Sequence, residues 1–170
     1  MNNLTRIALA TLVALALGAC AKKTKEAPPP FEERETVTRT EAVVDDGRYS
    51  PGDLDSDSCL RQRVVYFDFD MSNIKPEFTE ILRCHGKYLS DRPSSRVTLE
   101  SHADERGSRE YNLGLGERRG NAVSDSLMAN GGSAGQQTVV SYGEERPVCM
   151  DSYESCWAQN RRVEIIYTAK

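Results

Sequence analysis

Between His102 and Arg119 the chain reads HADERGSREYNLGLGERR, a run dense in charge. Two chemistries suit such a run. The first is recognition. A planar guanidinium takes a carboxylate through two parallel hydrogen bonds, which a lysine cannot do. A carboxylate in turn takes an ammonium group. Asp104 and Arg119, held side by side, would therefore suit a zwitterion, and backbone N–H groups at a helix start would add donors for its anionic end. The second chemistry is hydrolysis, with Asp104, Glu105 and His102 as acid, base or metal ligand. No paired nucleophile and base recommends it. A plainer reading needs no ligand: Asp104 and Arg119 form an ion pair that fixes a loop.

Zinc needs a spacing that is not here. His85, His102, Asp104 and the cysteines are the right residue types. A zinc deaminase, however, needs His-x-Glu and Cys-x-x-Cys. Here the pieces are His102-Ala103-Asp104 and a Cys149–Cys156 pair separated by six residues. His85 falls on the apolar face of a helix and reads as a hydrogen-bonded core residue. Neither metal nor cofactor is expected.

The elements that must position these residues follow from periodicity. Arg63–Phe69 is rich in β-formers, and Arg96–His102 alternates as a half-buried strand does. Between them Phe78, Ile81, Leu82, His85 and Leu89 recur at helical spacing, behind Pro76 in the first turn. A second helix is predicted over Arg109–Ala129, closed by Asn130-Gly131-Gly132. Gln137–Tyr142 and Arg162–Thr168 complete the strands. The order β-α-β-α-β-β predicts an α+β domain, a mixed four-stranded sheet with its helices on one face. Gly107 and Gly143 fit turns with unusual backbone angles. Tyr111 reads as a packing residue, and Glu117 and Arg118 as exposed helix charges.

The 170 residues are 38% hydrophobic and 28% charged, enough for one modest core. Part of that apolar content lies at the start. Met1–Arg6 carries one positive charge, Ile7–Leu17 is an apolar run, and Leu17-Gly18-Ala19-Cys20 follows. A charged start, a short apolar stretch and small residues read as a secretory signal over residues 1–19. The run is too short to span a bilayer of roughly 30 Å. Its end resembles a bacterial lipobox, which makes Cys20 the lipidated first residue of the mature chain. Ala21, rather than Asp, favours the outer membrane. Residues 20–58 hold Pro28-Pro29-Pro30 and then Glu, Arg, Thr and Asp, with few large apolar groups. They read as a disordered linker, and residues 59–170 as the folded domain. The net charge is −4 for the whole chain. An acidic chain is a poor candidate for sequence-independent nucleic-acid binding, which rests on neutralising phosphates.

With Cys20 assigned to lipid, Cys59, Cys84, Cys149 and Cys156 remain. An even number in an exported chain suggests disulfides, and three pairings are possible. Cys59–Cys84 and Cys149–Cys156 are favoured. The first would pin the segment before strand one to helix one, and the second would close a loop between the last two strands.

Six pieces in series resemble the OmpA-like C-terminal domain family: Val65-Tyr66-Phe67-Asp68-Phe69-Asp70, His102-Ala103-Asp104-Glu105-Arg106-Gly107, Tyr111-Asn112, Leu115-Gly116-Glu117-Arg118-Arg119, Ser141-Tyr142-Gly143-Glu144 and Asn160-Arg161-Arg162. They cover about residues 63–168. The resemblance implies a domain that binds peptidoglycan without cutting it, through the diaminopimelate of the stem peptide. It places the family's Asp and Arg on Asp104 and Arg119, and its Asn on Asn112. Leu113 and Phe69 are expected in the pocket wall, with Arg162 a further candidate. Loss of Arg119 is expected to abolish binding without unfolding the domain. Among lipid-anchored members, the resemblance implies a periplasmic partner, the β-propeller protein TolB, and a part in the Tol system during envelope constriction and cell division. Two positions depart from the pattern: Ser101 stands where many relatives carry Gly, and Gly120 where many carry Ala.

Overall fold

The computed structural model describes residues 46–170. The expected signal peptide of residues 1–19, the expected lipidation site at Cys20 and most of the expected linker lie outside the described residues. The elements are α1 (Asp53–Ser56), β1 (Val64–Tyr66), α2 (Thr79–Asp91), β2 (Arg96–His102), α3 (Arg109–Ala129), β3 (Gln137–Gly143), α4 (Glu154–Asn160) and β4 (Arg162–Ala169). The strands form one sheet in the order β1-β4-β2-β3. β2 and β3 run parallel, and β4 is antiparallel to both β1 and β2. Parallel neighbours need a long crossover, and α3 supplies it. The mixed four-stranded α+β architecture is the one expected. α1 and α4 are additions that periodicity did not predict.

The core lies between one face of the sheet and two helices. Val65, Val97, Leu99, Val163 and Ile165 meet Ile81, Leu82 and Leu89 of α2 and Val123 and Leu127 of α3. Alternate strand residues face inward, as a period of two requires. Each fully buried Leu, Ile or Val contributes about 1.5–3 kcal/mol over leaving it exposed. α3 begins at Ser108, whose Oγ accepts from Tyr111 N at 3.2 Å. It ends where the Gly132 N–H returns to the Leu127 carbonyl at 3.0 Å. The middle of α3 comes unusually close to the sheet. A Cβ on Gly116 would lie 2.2 Å from Ser141 Oγ, and one on Gly120 would lie 2.4 Å from Val139 Cγ1.

The folded domain starts earlier than residue 59. Leu54 and Leu60 are buried with Cys84 and Tyr88 in a second apolar cluster, flanked by Tyr49, Cys59 and Tyr167. The Tyr49 N–H donates to Asp91 Oδ2 at 2.9 Å, at the end of α2. The Cys59–Cys84 disulfide ties this segment to the middle of α2. Tyr49 to Ser58, read as linker from the sequence, therefore packs with the folded domain. Composition hid this because Tyr49 and Leu54 stand alone among acids, and α1 spans only four residues.

His85 is a core residue. Its Nε2 lies 2.9 Å from the Gln62 carbonyl and its Nδ1 2.8 Å from the Tyr167 hydroxyl. A carbonyl can only accept, so Nε2 carries the proton and Nδ1 accepts from Tyr167. Burial, offset in part by the Gln62 bond, pulls the pKa from the usual 6.5 to about 4.

Candidate functional site

β2 ends at His102, and the chain turns through residues 103–107 before Ser108 starts α3. Gly107 makes that turn with φ 121°. The turn, the first turns of α3 and the segment after β1 enclose a pocket of about 200 Å³. Asp104, Arg106 and Gly107 line it from the turn, Tyr111, Asn112 and Arg119 from α3, and Phe69 and Asp70 from the β1 side.

Asp104 is buried and fully engaged. Its Oδ1 accepts from the Arg106 N–H and Nε, both at 3.1 Å. Its Oδ2 accepts from Arg106 Nη2 at 2.7 Å and Arg161 Nη1 at 3.2 Å. Burial alone would raise its pKa. The Arg106 hydrogen bonds, with Arg161 behind them, outweigh burial and hold the carboxyl below its usual 3.8. Arg106 is clasped as well. Its guanidinium carbon lies 4.0 Å from the Phe69 ring centroid and 4.1 Å from that of Trp157.

Arg119 does not grip Asp104. It is 0% exposed. Its Nε, Nη1 and Nη2 donate to the carbonyls of Met71 (2.8 Å), His102 (3.0 Å) and Asp68 (3.0 Å). Burial, then the charge of Arg161, lowers its pKa to about 10, so it stays cationic at neutral pH. Arg119 is the floor of the pocket and a brace between three chain segments. Removing it would cost the fold as well as the site, contrary to expectation. A sequence cannot show this, because backbone carbonyls are available at every position.

The other expected residues divide. Asn112 is buried beside the turn and donates through Nδ2 to the Asp104 carbonyl at 3.1 Å, and also to Glu144. Phe69 lies on the rim, 52% exposed. Leu113 is not in the wall. One residue on from Asn112, it points about 100° around the helix, into a groove shared with Glu117 and Asn121. Arg162 is not in the pocket either; it is buried and donates to Glu164 at 2.7 Å. Its neighbour Arg161 takes the place by Asp104, because adjacent residues entering a strand point to opposite sides. Tyr111 is half exposed rather than packed, and its hydroxyl donates to Asp70. Asp70 takes φ 59°, uncommon for a residue other than glycine. Arg106, Arg161 and Trp157 stand beside Asp104 and Glu105 without having been expected there. The run Asp104-Glu105-Arg106 held a signal for the first. Nothing local marked the other two.

The hydrolytic trio does not assemble. His102 is buried, and neither ring nitrogen has a hydrogen-bond partner. Burial, then Arg162, lowers its pKa to about 4. The Glu105 carboxylate accepts from Trp157 Nε1 at 3.0 Å and Ser152 Oγ at 2.7 Å. Among the described residues, Cys59, Cys84 and Glu80 are the one group of potential metal ligands that converges. The two sulfurs are bonded to each other, so neither offers a thiolate. The pocket thus sets a buried acid and two guanidinium groups around a small, partly apolar space, the elements of zwitterion recognition.

Residues 66–161 match the OmpA family. The chain is 37% identical over 169 residues to the peptidoglycan-associated lipoprotein of Pasteurella multocida, covering 98% of this chain and 100% of that one. It is 49% identical over 115 residues to the peptidoglycan-associated lipoprotein of Pseudomonas aeruginosa, covering 67% and 68%. The crystal structure of the peptidoglycan-associated lipoprotein from Burkholderia pseudomallei superposes with a TM-score of 0.65 at 39% identity, over 67% of this chain and 97% of that one. The cell wall anchor of the T6SS from Pseudomonas aeruginosa superposes with a TM-score of 0.52 at 29% identity, over 62% and 76%. Among the described residues no helix is long and apolar enough to cross a membrane.

Proposed function

Because the chain belongs to the OmpA family, and within it to the peptidoglycan-associated lipoproteins, we propose that its domain binds peptidoglycan non-covalently and tethers the outer membrane to the cell wall. The domain is a binding module, not an enzyme. The ligand is the stem peptide, at the end of its diaminopimelate that carries both a carboxylate and an ammonium group. Asp104, held ionised by its arginine partners, supplies the negative charge toward the ammonium. Arg119 supplies the fixed positive charge beneath the carboxylate. Three of its N–H groups go to carbonyls, so the buried guanidinium acts on the ligand through a charge fixed in place. One observation carries this reading: Asp104 and Arg119 line a single pocket, with Asn112 and Phe69 beside them.

Cys20 carries the lipid, and several acyl chains on one residue exceed the two signals that stable anchoring needs. A TolB-like protein is the second partner, within the Tol system in cell division. Support comes from large exposed apolar residues: Phe69 and Tyr111, which line the pocket, and Met71, Val148, Met150 and Tyr153 in the segments that follow β1 and precede α4. Such patches mark protein–protein contacts. The two partners would then compete for one face.

Incubation with purified sacculi tests the reading. The chain is expected to sediment with them and to release no soluble fragments, and excess TolB is expected to displace it. Failure to sediment, or release of muropeptides, overturns it.

A further inference from the structure

We propose that the Cys149–Cys156 disulfide is a positioning element of the pocket, acting through Trp157 and Arg161. As a statement about binding it rests on the peptidoglycan reading above. As a statement about geometry it stands alone.

α4 has seven residues, too few for a helix to persist by itself in water. The segment before it, from Glu144 to Tyr153, contains no helix or strand. Met150 there is 85% exposed. α4 is held to this loop at Cys149. The disulfide joins Cys149 to the fully buried Cys156. Asn160 Oδ1 accepts from the N–H groups of Val148 (2.8 Å) and Cys149 (3.1 Å), and its Nδ2 donates to the Cys149 carbonyl at 2.7 Å. One residue of the loop is therefore fixed to both ends of α4.

From that fixed helix two side chains reach residues that line the pocket. Trp157, next to Cys156, lays its ring against the Arg106 guanidinium and donates its indole N–H to Glu105. Arg161, next to Asn160, donates to Asp104 at 3.2 Å and to the Phe67 carbonyl at 3.0 Å. Asp104 and Arg106, two of the charged residues that line the pocket, are thus both steadied from α4. A loop free to pull away would take Trp157 off Arg106 and leave that guanidinium with one aromatic face instead of two. The Cys59–Cys84 bond lies in the other apolar cluster and touches none of these groups.

Trp157 is the one tryptophan in the chain, so its emission reports on α4 alone. The full chain, the Cys149→Ser/Cys156→Ser double variant and the Cys59→Ser/Cys84→Ser control are compared by acrylamide quenching. Affinity is then measured with a diaminopimelate-containing stem tripeptide. The first double variant is expected to show a more accessible Trp157 and roughly 2- to 30-fold weaker binding, the range spanned by one cation–π contact. The control is expected to lose unfolding midpoint and keep wild-type quenching and affinity in its folded state. Trp157→Phe should restore most of the affinity that Trp157→Ala loses. Wild-type quenching and affinity in the Cys149/Cys156 variant overturn the proposal. If the unaltered chain fails to bind the tripeptide, the peptidoglycan reading falls, and the quenching comparison still decides the positioning claim.

Discussion

Ser101 Oγ lies 2.5 Å from the point where a Cβ on Gly120 would project. The two departures from the family pattern are therefore one: the hydroxymethyl group on β2 occupies the space that α3 leaves empty. Gly120→Ala is expected to destabilise by about 1–3 kcal/mol through overpacking, against both Ser101 and Val139. Adding Ser101→Gly should recover part of that loss, with a coupling above about 0.5 kcal/mol. Urea unfolding of the four proteins measures it, and strictly additive effects would refute the linkage.

Arg119→Ala takes one donor from each of three carbonyls, of which that of Asp68 still accepts from the Met71 N–H at 3.2 Å. At roughly 1–3 kcal/mol for each unsatisfied group, the unfolding midpoint should fall steeply. Arg119→Lys should recover little, since an ammonium cannot reach three diverging carbonyls. A variant as stable as the parent would show that the brace is dispensable.

Asp104→Asn keeps the shape of the side chain and removes its charge. It leaves Arg106 and Arg161 facing a neutral amide, and sacculus sedimentation should drop to background while the far-ultraviolet circular dichroism stays native. Because the Asp104 carboxyl is held below its usual value, wild-type retention should persist at pH 5. Loss of retention between pH 7 and pH 5 that tracks no loss of fold would count against this carboxylate.

Stability should fall on mild acidification. Below pH 6.5 an unfolded chain protonates His85, and the folded chain resists until about pH 4. The stability that comes from keeping this ring neutral is full above pH 6.5 and is lost as pH falls toward 4. The contribution amounts to about 2 kcal/mol between pH 7 and pH 5. His102, lowered the same way, adds in the same direction. Denaturant titrations at the two pH values should show a smaller difference for His85→Gln than for wild type. An unchanged difference would remove His85 from the account.

The strands and long helices were legible because each repeats its period several times: Val97 and Leu99 alternate, and Leu82, His85 and Leu89 recur. Asp104, Asn112 and Phe69 were legible through their family pattern. What escaped depends on tertiary placement. Arg161 and Arg162 are adjacent and chemically identical, and only the turn of the strand decides which reaches Asp104. Leu113 differs from Asn112 by one step around a helix. α4 is two turns long and carries no apolar repeat, so a cysteine-bounded loop was the simplest reading of it.

The attachment of Tyr49 to the end of α2 has a mechanical consequence. Gln136 Nε2 donates to the carbonyls of Leu89 and Arg92, and more distantly to that of Ser95, so that end of α2 lies where β2 begins. β2 then runs seven residues to His102, roughly 20 Å, before the chain reaches Asp104. The chain enters at one pole and the pocket opens at the other. Tension between an anchor upstream and a ligand held at Asp104 would run lengthwise along the strands, loading their hydrogen bonds in shear rather than unzipping them one by one. The Cys59–Cys84 bond caps how much sequence such a pull can peel away, because nothing beyond Cys59 can unravel until α2 itself gives.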